Sequence, residues 1–135
     1  MSQPTKGDRP RPVPLSIPGL PPANPTYSQA TVLGNLVFVS GMLGIDPMTN
    51  RLAGDDMRSQ TRQALLNIER VLQTAGSGLD RVARCNLYLT DYSRLAEANE
   101  VYAEFFREHK PAKTGVGVAA LWGGALIEIE VTAAL

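Results

Sequence analysis

Lys113 and Glu128 are the residues of this chain whose types and spacing best suit chemistry on a small anion. Lys113 stands in Pro111-Ala112-Lys113-Thr114-Gly115-Val116-Gly117-Val118, at the mouth of one expected strand, and Glu128 stands inside the next, in the apolar run Leu126-Ile127-Glu128-Ile129. A fixed cation beside a fixed carboxylate can hold an anionic substrate and move a proton on it. The identity of the cation matters. Arg meets a carboxylate with a planar fork and two parallel hydrogen bonds, whereas Lys offers a compact point charge. A charged hydrogen bond is worth ~1.5–3 kcal/mol, so one missing prong weakens binding on the order of 10- to 100-fold. A deprotonated Lys can also form a Schiff base with a carbonyl compound.

The elements that must position these residues belong to a chain of 135 residues, a length that suits one domain with a real core. The 44% of hydrophobic residues are spread in short segments, and no apolar run approaches the ~18 residues of a membrane helix. Lys+Arg and Asp+Glu are 13 each. Zero net charge argues against nucleic acid or an anionic membrane as the main partner. Cys85 is the single cysteine and His109 the single histidine, so neither an intrachain disulfide nor a zinc cluster is expected. The N-terminus has basic residues without an apolar signal core, and a cytoplasmic protein is the expectation.

Residues 1–26 hold eight prolines and read as an extended N-terminal extension, lying on the surface or disordered, with docking to a proline-binding groove as the alternative. The domain is expected over 27–135. Ser28 to Val32 and Leu36 to Ser40 form a hairpin about Gly34-Asn35. Asp55 and Asp56 suit a helix N-terminus. Leu65, Ile68, Val71, Leu72 and Ala75 follow at helical spacing, and Gly76 and Gly78 end the helix. In Val82–Thr90, Ala83, Cys85, Leu87 and Leu89 share one face of a strand, and Arg84, Asn86 and Tyr88 share the other. Ser93 caps a second helix with Leu95, Ala98, Tyr102, Phe105 and Phe106 as its stripe. Strands about Thr114–Ala119 and Ala125–Ala133 flank a turn at Trp122-Gly123-Gly124. The order β-β-α-β-α-β-β gives a mixed sheet with two helices on one face. The other face lies in water unless subunits pack there, which favours a closed homo-oligomer.

Tyr27-Ser28-Gln29-Ala30, Val39-Ser40-Gly41, Asn99-Glu100-Val101-Tyr102, Pro111-Ala112-Lys113-Thr114 and Ile127-Glu128-Ile129-Glu130 fall in the order and spacing of one family. From about residue 24 onward the chain resembles the Rid family of reactive intermediate deaminases, also called the YjgF or L-PSP endoribonuclease family. The resemblance implies a chorismate-mutase-like α+β fold and a homotrimer around a barrel-like core, with small-molecule sites between subunits. It implies hydrolysis of reactive enamine and imine acids to 2-keto acids and ammonia, with no metal or cofactor. In the active deaminases the motif reads Pro-Ala-Arg-Ser/Thr, and the Arg grips the substrate carboxylate. Lys113 takes its place here, so the substrate is expected to be non-standard.

By the same resemblance, Glu128 orients or activates the attacking water, Lys113 binds the anion, and Tyr27 lines the cleft from a neighbouring subunit. Ser40, Gly41, Asn99, Thr114 and Gly115 are the expected substrate-binding residues, with the backbone N–H of Gly115 facing a ligand carboxylate. The plain alternatives are an intersubunit ion pair for Glu128, a solvated strand-end Lys for Lys113 and a core aromatic for Tyr27. Glu130 shares Glu128's face and reads as structural or interfacial. Cys85 and Tyr102 read as core, and His109 as a partner of the second helix's C-terminal dipole. Trp122 either covers the cleft or enlarges a subunit contact. Three functions compete: an imine deaminase acting on a small anionic metabolite, a non-catalytic carboxylate-binding or regulatory trimer, and an endoribonuclease. The last is opposed by the zero net charge and the lack of a basic–aromatic stripe.

Overall fold

The computed structural model describes residue 3 and residues 5–135. Met1, Ser2 and Pro4, at the start of the expected proline-rich extension, lie outside the described residues. The strands are β1 (Val13–Leu15), β2 (Ala30–Leu33), β3 (Leu36–Leu43), β4 (Ile45–Asp46), β5 (Arg51–Leu52), β6 (Val82–Leu89), β7 (Ala112–Gly117) and β8 (Ile127–Ala134). The helices are α1 (Met57–Thr74) and α2 (Leu95–Phe105). One sheet runs in the order β1-β2-β3-β8-β6-β7, and β4 and β5 form a small separate hairpin. β6 and β7 are parallel, and α2 is their crossover. This is the expected α+β architecture.

Alternation along the central strands sets the layers. In β8, Ile127, Ile129, Val131 and Ala133 are buried while Glu128, Glu130 and Thr132 are only partly covered. The buried set packs with Val37, Val39, Cys85, Leu87 and Leu89 against Leu65, Ile68, Leu72, Ala98 and Val101 of the helices. The helices therefore cover one face of the sheet. The opposite face presents Phe38, Thr132, Glu130, Glu128, Asn86 and Tyr88 in neighbouring rows. Asp56 caps α1, its carboxylate accepting from the Ser59 N–H at 3.0 Å.

Three details depart from the expectations. First, the proline-rich stretch is not a detached tail. Val13–Leu15 pairs with β2 as the edge of the sheet, and Ile17 is buried in the core. Pro14 lacks an N–H, and an edge strand is where a sheet tolerates that loss. The buried Gln29 holds the chain beyond β1 in place: its Oε1 accepts from the Ile17 N–H at 3.2 Å, and its Nε2 donates to the Pro21 carbonyl. Second, Val82 is buried and Ala83 exposed, because the pairing with β8 shifts register between Val82 and Arg84 and reverses the local alternation. Third, Asp91 rather than Ser93 starts the turn that leads into α2, accepting from the Ser93 N–H at 3.1 Å. Beyond the hairpin of β2 and β3, Asp46-Pro47 opens the β4–β5 turn, completed by Asn50 in the left-handed region at φ 58°.

Candidate active site

The expected site residues fall into two groups. Tyr27, Ser40, Gly41 and Glu128 line a cleft of about 700 Å³ on one side of the molecule. β3 is irregular between Val39 and Met42, so Ser40-Gly41 forms a bulge beside the Glu128 strand. Gly41 is required there. A Cβ at that position would overlap the Glu128 carboxyl group, its ideal position lying 2.7 Å from the Cδ. The carboxylate thus lies directly over bare backbone, half-buried. Burial, and then the charge of Glu130, push the Glu128 carboxyl above its ordinary value. Ser40 is tied back to the preceding strand segment: its N–H donates to the Gln29 carbonyl at 2.9 Å and its hydroxyl to the Ser28 carbonyl. Tyr27 is 53% exposed at the cleft edge, so it is not a core aromatic.

Lys113, Asn99 and Gly115 form the second group. Lys113 pairs in register with Cys85, whose side chain is fully buried under the helices, so Lys113 projects to the helix side of the sheet. Its Nζ donates to Asn99 Oδ1 on α2 and lies 4.6 Å from the centroid of the Tyr102 ring. Burial holds the Lys113 ammonium below its ordinary range. Gly115 shares this face, and a Cβ there would make only an ordinary 3.6 Å contact with Leu95. Thr114 joins neither group. It pairs with Asn86 on the uncovered face and accepts from Arg84 Nη2 at 3.1 Å.

Within one chain, then, Lys113 and Glu128 are on opposite faces of the sheet. Across β6 the register places Lys113 level with Val131 and Glu128 level with Val116. Glu130 is a partner to its neighbours, accepting from Asn86 Nδ2 at 3.1 Å and from the Tyr88 hydroxyl. That bond is the main reason the Tyr88 phenol is pushed up to about 12. Cys85 is core, its thiol pushed up to about 12 by burial. The hydrogen-bond partner of His109 is the Val82 carbonyl, not a carbonyl at the end of α2, and Lys110 Nζ instead donates to the Phe106 and Arg107 carbonyls at 3.3 and 3.0 Å. Among the described residues no group of three His, Cys, Asp or Glu is placed to hold a metal.

Sequence reasoning missed Asn67 and the apolar lining of the cleft. Asn67, buried in α1, donates to the Leu43 and Ile45 carbonyls at 3.3 and 2.9 Å and holds that wall in place. An amide between Leu66 and Ile68 in a helical stripe was the available signal.

The model of the family described as Endoribonuclease L-PSP matches residues 20–135. A RutC family protein of Pyrococcus horikoshii is 46% identical over 107 residues, 79% of this chain and 85% of that protein. A 2-iminobutanoate/2-iminopropanoate deaminase of Dermatophagoides farinae is 34% identical over 116 residues, covering 86% and 91% of the two chains. The crystal structure of E. coli TdcF with bound serine superposes with a TM-score of 0.85 at 31% identity, covering 91% of this chain and 98% of that one.

Proposed function

Because the chain belongs to the endoribonuclease L-PSP family, the Rid or YjgF family, we propose that it hydrolyses reactive enamine and imine acids to 2-keto acids and ammonia. One observation carries this reading: the half-buried Glu128 carboxyl, with its proton affinity raised, lies over bare Gly41 backbone in a ligand-sized cleft. The deaminase among the relatives supports it.

The chemistry follows from the residues. An enamine first takes a proton on its β-carbon and becomes the imine. Water then adds to the imine carbon as the C=N π pair moves to nitrogen. Glu128 takes a proton from that water and passes it to the nitrogen. Glu128 then takes the hydroxyl proton of the tetrahedral adduct and passes it to the nitrogen as well, so that collapse forms the C=O bond, breaks the C–N bond and releases ammonia. A carboxyl that must take and return a proton near neutral pH works best when its pKa is raised toward that pH. Lys113 neutralises the substrate carboxylate with one charged hydrogen bond, and Asn99 fixes its position. The N–H groups of Gly41 and Gly115 and the hydroxyl of Tyr27 orient the substrate.

Since Lys113 and Glu128 are on opposite faces of one sheet, a working site needs two chains. In this reading Glu128, Tyr27, Ser40 and Gly41 come from one subunit of a homotrimer, and Lys113, Asn99 and Gly115 from the next. Mixing inactive variants tests it. Glu128→Gln and Lys113→Ala each lose at least ~100-fold in imine hydrolysis. Unfolded and refolded together at equal amounts, they recover about a quarter of wild-type activity, because about a quarter of the interfaces then hold both intact residues. No recovery on mixing overturns the shared site. No acceleration of imine loss by the wild-type protein, at any concentration, overturns the deaminase.

A second reading is a carboxylate-binding trimer without turnover. The serine-bound relative favours it, as does the single point charge of Lys113. Calorimetry with 2-keto acids and short carboxylates separates the two, since tight binding without turnover supports only the second.

A further inference from the structure

The share of the cleft that one subunit supplies around Glu128 presents more apolar wall than a three-carbon imino acid requires. In a single chain it encloses about 700 Å³, and beyond the carboxylate its apolar wall is Leu20, Pro21, Met42, Leu43 and Ile45, with Asn24 and Asn50 among its polar lining. These come from three places: the N-terminal segment, the end of β3 and the start of the β4–β5 hairpin. None of them is loose. Gln29 anchors the N-terminal segment at Ile17 and Pro21, and Asn67 anchors Leu43 and Ile45 through their carbonyls. At the rim stands Trp122, 78% exposed although it lines the cleft. It is carried on a turn whose next two residues, Gly123 and Gly124, hold positive φ of 66° and 72°. A large aromatic ring held out in water beside an apolar cleft gains by covering an apolar ligand. Ordered polar anchors behind an apolar wall are the usual form of a preformed small-molecule site.

We infer that this wall, with Trp122 over it, is a side-chain subsite, and that the protein prefers imino acids with large apolar side chains, branched aliphatic or aromatic, over three-carbon ones. The preference for an imino acid rests on the proposed deaminase activity; the preference for a large apolar side chain rests on the cleft alone. Glu128 sets the position of the reacting carbon, and the wall begins beside it, because Leu43 is opposite Glu128 in the β3–β8 register. The side chain of the substrate therefore enters the wall when the reacting carbon is at Glu128. Each extra buried methylene adds to transition-state binding, so several together change selectivity by at least about tenfold.

Two measurements test this, one with turnover and one without. In the first, imines are generated in place by an amino-acid oxidase from L-alanine, L-leucine and L-phenylalanine. The expected kcat/KM for the leucine- and phenylalanine-derived imines is at least about tenfold above that for the alanine-derived one, and in Trp122→Ala this ratio falls at least about threefold. A flat or inverted ratio in the wild-type protein overturns the subsite, and an unchanged ratio in Trp122→Ala overturns the part given to Trp122. The second uses the fact that Trp122 is the only tryptophan, so red-edge excitation reports on this rim alone. Titration with the unreactive acids propanoate, 4-methylpentanoate and 3-phenylpropanoate is expected to blue-shift its emission, with the two larger acids saturating at concentrations at least about tenfold lower. If no imine is turned over but the acids keep this order, the deaminase fails and the subsite stands. If the three acids saturate alike, or none shifts the emission, the subsite fails whatever the turnover.

Discussion

At the scale of single residues, Glu128 and Lys113 share a property that their charges hide. Burial pushes both toward the neutral form, the carboxyl upward from 4.5 and the ammonium downward from 10.5. The proposed reaction needs both charged, so kcat/KM is expected to follow a bell. It rises through a pKa above the ordinary carboxylate value and falls through one below the ordinary lysine value. In Glu128→Gln the rising limb disappears along with at least ~100-fold of the activity. A rising limb that survives this substitution belongs to another group. The sign for stability comes from the same shift. A carboxyl whose pKa is higher in the folded than in the unfolded state favours folding below its unfolded pKa, and that contribution is lost as pH rises through the folded value. Thermal melts are therefore expected to show Glu128→Gln roughly 1–3 °C above the wild-type protein at pH 8 and level with it at pH 4, the gain being small because the group is half in water.

At the scale of elements, the N-terminal segment is part of the fold. Replacing Gln29 by Ala leaves the Ile17 N–H and the Pro21 carbonyl without their partner. The expected cost is about 1–3 kcal/mol in urea unfolding, and an unmoved midpoint would return residues 13–22 to the status of a passive tail. This strand also marks where the sequence stopped being readable. The β2–β3 hairpin, both helices and the order of β6, β7 and β8 show in local periodicity, which depends on neighbours in the chain. β1 depends on a long-range edge, and its prolines argued against it. The exchange of Val82 for Ala83 in the core depends on a register shift, which alternation alone cannot reveal. The site divides the same way. Its residue types were legible in the motifs about Gly41, Lys113 and Glu128. That Lys113 and Glu128 face opposite ways was not, because β6 intervenes between their strands and its pairing sets both faces.

At the scale of the whole molecule, α1 and α2 cover one face of the sheet and leave the other with Leu36, Phe38 and Val116 at 38–40% exposure among polar neighbours. In the proposed trimer this face is buried at the subunit seams. Light scattering is then expected to give about 43.5 kDa, three times the 14.5 kDa chain. Phe38→Asp, a charge set in that seam, is expected to reduce it to 14.5 kDa and to remove at least ~100-fold of the activity with it. A wild-type mass of one chain overturns the trimer, and a Phe38→Asp protein that stays at the larger mass overturns this face as its seam. Cys85, described above only as core, has a use at this scale. It is the sole thiol of the chain, fully buried, and paired in register with Lys113 on one side and Val131 on the other. With its thiol pushed up to about 12, it stays silent toward alkylating reagents while the sheet is closed. Each alkylation event therefore counts one excursion in which β6 parts from its cover. The protein carries a built-in stopwatch for its own opening, readable as the mass an alkylating reagent adds at this one thiol.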